Sequence, residues 1–374
     1  MPSDSKSRSS APGRLAFLDW TRGMAVLIML QGHVFHAFSR NDLRDKGPYL
    51  ISQLFGGEGP AIFLFLTGIT LAFLIDRRQR QGLGPREKWM VAIRRSAYLW
   101  TLAFLFRCQL WLFAYPGSNW TDLFKVDILN CMGFAIALFS VTALLTTQQR
   151  VRVCALLGTA IAVASPLVSA ADWSWLPAQV SAYFVPNYAA FAFFPWASFL
   201  AFGMSAGSIL RLSQPEDMPG IMLSAAVGGV VLVGAGEYFS NVPYSLYPSS
   251  EFWLNGPGLV TIKLGVILLS VAFAWLWCEH IHLRTSIARQ LGTTSLIVYW
   301  VHIELVYGRW LGIWRESFTA AQCAVAALAV IGLMVCVSLA RSDWPGLAKR
   351  MRFRLPALLL PAASTLKSQR AAGD

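Results

Sequence analysis

Ten apolar runs, each near the length of a membrane crossing, dominate this chain. They fall at about 16–38, 54–75, 96–113, 127–146, 153–170, 189–210, 219–236, 258–278, 291–312 and 319–340. Some twenty such residues make a helix of about 30 Å, the thickness of bilayer hydrocarbon. Backbone in hydrocarbon must satisfy its own hydrogen bonds, which a helix does within one segment. The expected fold is therefore all-α, a polytopic membrane bundle of about ten helices. Composition agrees: 56% of residues are hydrophobic and only 13% charged, about half the roughly 25% charged share of a soluble domain. That excludes a disordered chain and argues against a water-soluble enzyme. The first run carries Asp19 and Arg22 and lacks a small-residue cleavage site, so it reads as a span and not as a removable signal peptide. The six Cys have no paired spacing and read as small core residues, neither a disulfide framework nor a zinc site.

A net charge of +12 invites a nucleic-acid reading until the charges are located. With the N-terminus placed in the cytoplasm, 23 of the 31 Lys and Arg fall on one side of the ten alternating spans. That is the positive-inside bias of a multi-pass protein with both termini cytoplasmic, in the inner or plasma membrane if the host is bacterial. The expected partner of the basic face is anionic lipid, and no nucleic acid is expected. The expected organisation is a tail at 1–15, a membrane domain at 16–340 and a basic tail at 341–374. The LPALLLP stretch in that last tail is too short to span.

Ionisable residues inside spans are costly and mark function by default. On a helical projection of span 1 with Arg22 as zero, Asp19 lies about 60° away, His33 about 20° and His36 about 40° on the other side, while Gln31 points opposite. Arg22 and His33 stand about 16 Å apart along that stripe. The face thus carries a cation at the cytoplasmic end and an imidazole in the outer half. An alternative is that Arg22 snorkels to headgroups and His33 bonds a neighbouring helix. In span 9, Ser295, Tyr299 and Arg309 share the face of His302, which lies at a depth close to that of His33, so the two His either converge or are satisfied separately. Glu304 points away and calls for a partner such as Arg107 or Lys263. Asp127, at the start of span 4, suits either a carboxylate orienting an imidazole or a helix-start aspartate favoured by the macrodipole. Gly203 and Gly207 form a G-x-x-x-G face for close helix packing. Asn119-Trp120-Thr121 matches the glycosylation pattern on the outer side.

FLDWTRGMAVLIMLQGHVFHAF resembles the opening helix of the transmembrane acyltransferase superfamily, which includes heparan-α-glucosaminide N-acetyltransferase and the acyltransferase-3 proteins. The shared pattern is Asp19, Arg22 and Gly23 followed by His33. Supporting blocks are IFLFLTGITLAF, KVDILNCMG, FFPWASFLAFGMSAG and LGTTSLIVYWVH, in family order, and the FPW block inclines toward the heparan-glucosaminide-type branch. The resemblance implies transfer of an acetyl group from cytoplasmic acetyl-CoA, the donor substrate, to a sugar or glycan across the membrane. It implies that His33 is the catalytic histidine and that Arg22 receives the anionic donor; on that mechanism Asp127 and His302 would position His33 or stabilise developing charge. A second donor arginine in acyltransferase-3 proteins has its nearest counterparts in Arg77 and Arg78, about a turn late. No metal or haem is expected. The acceptor, N- or O-transfer and the oligomeric state, a homo-oligomer included, stay open.

Two other classes fit parts of this pattern. His33 and His302 are suited to be axial ligands of a b-type haem, which would give a Soret band. Polar stripes also line the paths of glycan or lipid transporters, whose broken helices and inverted repeats are not evident in the sequence.

Overall fold

The computed structural model describes residues 15–281 and 286–352. Most of the two expected tails, including LPALLLP, lies outside the described residues, as does Arg284. The chain forms thirteen helices among the described residues: α1 (Ala16–Phe38), α2 (Gly47–Gly56), α3 (Gly59–Arg80), α4 (Pro85–Ala114), α5 (Ile128–Phe139), α6 (Thr147–Ala170), α7 (Ala178–Ser181), α8 (Phe193–Leu212), α9 (Met218–Ser240), α10 (Pro257–His280), α11 (Ile287–Thr293), α12 (Ser295–Tyr307) and α13 (Ala320–Arg352). Among the described residues, β pairing is confined to two isolated bridges. The protein is a polytopic helical bundle. Seven helices, one of them the joined α2–α3, are long and apolar enough to cross a membrane. α1 is 23 residues long, its hydropathy diluted by Asp19, Arg22, Gln31, His33 and His36. α5 with its following turn and α12 are shorter apolar helices. Each of the ten apolar runs falls on one helix or on two successive ones.

Local chemistry sets the helix starts. Proline occupies the first turn of α3, α4, α9 and α10, where its missing N–H costs nothing and its fixed φ suits the helix. Thr146 caps α6 by accepting from Gln149 N at 3.2 Å, and Asp127 caps α5.

Two apolar runs are broken, and both breaks carry polar contacts. The second begins earlier than its hydropathy suggests, at Gly47, and is interrupted at Gly57-Glu58 inside the GGEGP cluster. There α2 meets α1 so closely that a Cβ on Gly32 would stand 2.8 Å from Gly56 Cα. Gln31 donates to the Ser52 carbonyl at 3.0 Å and Gln53 to the Gly32 carbonyl at 3.0 Å. The carbonyl freed at Gly57 accepts from Lys263 Nζ at 2.9 Å, which also pairs with Glu58 at 2.8 Å. Exposed backbone at membrane depth survives only with such partners. The ninth run splits at Thr294 into α11 and α12.

α1 is the central element, packed by α2, α3, α10, α11, α12 and α13. A tight seam lies between α3 and α8: a Cβ on Gly203 would sit 1.9 Å from the Phe65 carbonyl oxygen, and one on Gly68 2.1 Å from that of Leu200. The G-x-x-x-G face of α8 is thus used for close backbone approach. All six Cys are free thiols.

Candidate active site

The two intramembrane histidines converge. His33 Nδ1 lies 2.9 Å from His302 Nε2, with the rings 13° from parallel and their centroids 5.2 Å apart. His302 is fully buried, and its Nδ1 stands 2.8 Å from the Val298 carbonyl. A carbonyl only accepts, so this nitrogen carries the proton. In a neutral imidazole the Nε2 of His302 is then an acceptor, and His33 Nδ1 must donate to it. His33 is left with an unprotonated Nε2. A backbone carbonyl on α12 thereby selects the tautomer of a histidine on α1.

Aromatic rings enclose the pair. Tyr299 meets His302 edge-on at 5.7 Å, and Tyr307 meets His33 edge-on at 5.3 Å. The Tyr307 hydroxyl lies 3.1 Å from Nδ1 of His36, which is exposed at the end of α1. Arg44 reaches the His36 carbonyl at 3.1 Å and Glu316 at 3.2 Å. The spacing of Tyr299 from His302 was readable on a helical face; Tyr307 lies five residues beyond His302 and only the fold brings it to His33.

Arg22 sits at the other end of the stripe, with one nitrogen 3.6 Å from Asp19 Oδ1 and its side chain 22% exposed. α11 presses against this end. A Cβ on Gly23 would fall 1.7 Å from the Ala288 carbonyl oxygen, and one on Gly292 1.9 Å from that of Asp19. Gln290 ties α11 to α13 through Ser338 (3.0 Å) and Ser342 (2.6 Å). Arg77 and Arg78 lie in the last turn of α3; Arg77 is exposed, and Arg78 donates to Gln81 at 3.1 Å.

Asp127 is placed differently from the orienting role the sequence allowed. Its Oδ1 accepts from Leu129 N at 2.9 Å and Asn130 N at 3.0 Å, and its Oδ2 lies 3.2 Å from Arg107 Nε. The group that bonds His33 is His302, because α5 turns the carboxylate back onto its own first turn. Glu304 also departs from expectation. Arg107 is taken by Asp127 and Lys263 by Glu58, and Glu304 instead accepts from the Trp310 indole at 3.1 Å. Sequence reasoning also missed the Gln31–Ser52 and Glu58–Lys263 contacts. Their one signal was the GGEGP cluster inside an apolar run.

Among the described residues no group of three or more His, Cys, Asp or Glu side chains could hold a metal ion. The fold and site together define a polytopic helical membrane protein built around an intramembrane histidine pair, with a cation at the opposite end of the same helix stripe. Residues 14–237, more than half of the chain, match the family model of the heparan-α-glucosaminide N-acetyltransferase catalytic domain, and the chain belongs to that family. The matched range includes Arg22, His33, Arg77, Arg78 and Asp127, whereas His302 lies beyond it. No curated protein matches the chain.

Proposed function

We propose that this protein is a membrane-embedded acyltransferase that moves an acetyl group from cytoplasmic acetyl-CoA to a sugar or glycan on the opposite face. The observation that carries the reading is the chain from the Val298 carbonyl through His302 to His33, which leaves a lone pair on His33 Nε2. In direct transfer, that nitrogen takes the proton of the acceptor hydroxyl or amine as the acceptor attacks the thioester carbon. The C–S bond then breaks, and the thiolate of CoA recovers the proton from His33. In covalent transfer, Nε2 itself attacks the thioester carbon and CoA leaves as the thiolate. The acceptor then attacks the carbonyl carbon of the acetyl-imidazolium, its C–N bond to His33 breaks to return the neutral imidazole, and the acceptor's proton neutralises the CoA thiolate. Both routes need the same tautomer.

Arg22 supplies a positive end for the phosphates of the donor, with Asp19 beside it fixing its geometry. Arg77 and Arg78 add cationic field at the end of α3. Asp127 acts at one remove, holding Arg107 and the start of α5. The family assignment supports an acetyl donor and a glycan acceptor. Haem ligands approach an iron from opposite faces, whereas these two imidazole nitrogens bond each other, which favours the base over the haem ligand. The break between α2 and α3 is a feature that transporters share. Vesicle flux without acetyl transfer would favour transport.

The deciding experiment incubates the purified protein with labelled acetyl-CoA and a panel of amino sugars and glycans. Label should appear on an acceptor, and His33→Ala should abolish it. Full transfer by that variant would overturn the mechanism.

A further inference from the structure

Acetyl transfer to an amine involves one proton more than transfer to a hydroxyl. Near neutral pH an aliphatic amine is mostly an ammonium ion, which has no lone pair with which to attack. It must lose one proton before it attacks the acetyl carbon and a second one afterwards. Both the direct and the covalent route deliver one acceptor proton to the thiolate of CoA, and neither disposes of the first. An amine acceptor therefore calls for a second proton acceptor, placed beside His33 and open to water.

His36 stands three residues beyond His33, about 60° away around α1. It is exposed, whereas His33 is half-buried and His302 fully buried. Tyr307 of α12 spans the two histidines of α1. Its ring meets His33 edge-on at 5.3 Å, and its hydroxyl stands 3.1 Å from His36 Nδ1. That hydroxyl thus links the edge of the buried pair to an imidazole in solvent. Charged groups from two further segments face His36. Arg44 donates to its carbonyl at 3.1 Å and to Glu316 at 3.2 Å, and Asn41 donates to the other oxygen of Glu316 at 2.9 Å. Glu316 has a φ of 53°, the only positive value at a non-glycine residue among the described residues, and its amide donates to the Ala37 carbonyl at 3.2 Å. A left-handed backbone at such a residue persists where its surroundings enforce it, and here it sets a carboxylate within electrostatic reach of His36. A proton on His36 is opposed by Arg44 and favoured by Glu316. His33 is also within electrostatic reach of His36, so the two imidazoles hold a proton in turn and not together. Tyr307 is faced in addition by Arg315, which donates to its carbonyl, and by Tyr49 of α2.

We propose that Tyr307 and His36 relay the first proton of an amine acceptor to solvent, so that the acceptor meets the acetyl group as a neutral amine. The ammonium donates an N–H to the Tyr307 oxygen. Its proton crosses to that oxygen while the phenol proton passes to His36 Nδ1, which leaves a lone pair on the amine and an imidazolium at the surface. His36 then gives a proton to water, and the hydroxyl turns back toward Nδ1. The amine attacks the acetyl carbon, and its second proton ends on the CoA thiol. The sum is an ammonium and a thioester converted to an amide, a thiol and one released proton. A hydroxyl acceptor releases none and needs no relay. The inference rests on the acetyl-transfer reading.

The test measures initial rates of transfer from labelled acetyl-CoA by the purified full chain to methyl α-glucosaminide and to methyl α-glucoside, from neutral to alkaline pH. At neutral pH, His36→Ala should lower N-acetyl transfer at least about 10-fold. His36→Asn should lower it as far, because its amide oxygen accepts from Tyr307 but takes no proton, and Tyr307→Phe should do the same. The ratio of each variant to the parent should return toward one as the pH passes the pKa of the amine, where the acceptor arrives neutral. A purely structural role for His36 or Tyr307 would show no such recovery. A loss that persists at alkaline pH, or full N-acetyl transfer by His36→Asn at neutral pH, would overturn the relay. So would transfer by the parent chain to the glucoside and none to the glucosaminide, which leaves the acetyl-transfer reading intact. Label on neither sugar nor on any glycan of the wider panel would overturn that reading and the relay with it.

Discussion

At the scale of single residues, the proposed mechanism concentrates the chemistry in the one lone pair that the His33–His302 contact leaves on His33. A histidine that takes and returns a proton contributes roughly 10²–10⁴-fold to such steps, so His33→Ala should lower kcat for acetyl transfer by at least about 10²-fold. His302→Ala removes the acceptor that holds the proton on His33 Nδ1, and kcat should fall with little change in donor KM. His302→Gln offers an amide oxygen to the same donor and should recover part of the loss; equal rates for the two variants would sink the tautomer argument. Arg22→Gln should act on the other term, raising the KM for acetyl-CoA while kcat holds. Much of this was legible in the sequence, since 100° per residue puts Arg22 and His33 on one face of α1. Which partner His33 bonds was not, because Asp127 and His302 were both chemically suitable. The carboxylate is consumed by the two amides at the start of α5 and by Arg107.

At the scale of elements, backbone approach decides what the helices tolerate. α11 lies against the first turns of α1, and a methyl group at Gly292 would sit 1.9 Å from a backbone carbonyl oxygen. No side chain can move aside there, so Gly292→Ala should cost about 1–3 kcal/mol, read as a fall in Tm. It should also raise the KM for the donor if α11 sets the Arg22 mouth. The Asp127–Arg107 pair joins α5 to α4. A double-mutant cycle with Asp127→Asn and Arg107→Gln should show a coupling of about 1 kcal/mol or more in stability, because each single change leaves a largely buried charge without its ionic partner. The helices themselves were readable from apolar runs and from the prolines that open five of them, α2 included. The two breaks were not read, since averaging hydropathy over a run passes across a two-residue interruption such as Gly57-Glu58.

At the scale of the whole molecule, the bundle is organised around α1, with the histidine pair toward one end of that helix and Arg22 at the other. The charge bias predicts that the loop after α3 faces the cytoplasm and the loop after α4 the outside. In a background from which the native cysteines have been removed, a cysteine placed at Gly84 should react with an impermeant thiol reagent only after the membrane is opened. One at exposed Gly117 should react in intact cells. Both reacting from the same side would break the alternating topology.

The sequence by itself determined the class of fold, since apolar runs of bilayer length have few ways to hide their backbone other than as helices. It also determined that α1 carries a polar stripe, because helical periodicity follows from local geometry. Only the tertiary structure decided which stripe met which. The contacts of His33 with His302, of Tyr307 with His33, of Lys263 with Glu58 and of Arg211 with Asp76 join residues 135 to 274 positions apart in the chain. Such contacts depend on how helices are arranged around α1, and arrangement is set by glycine seams and helix breaks that a hydropathy profile averages away.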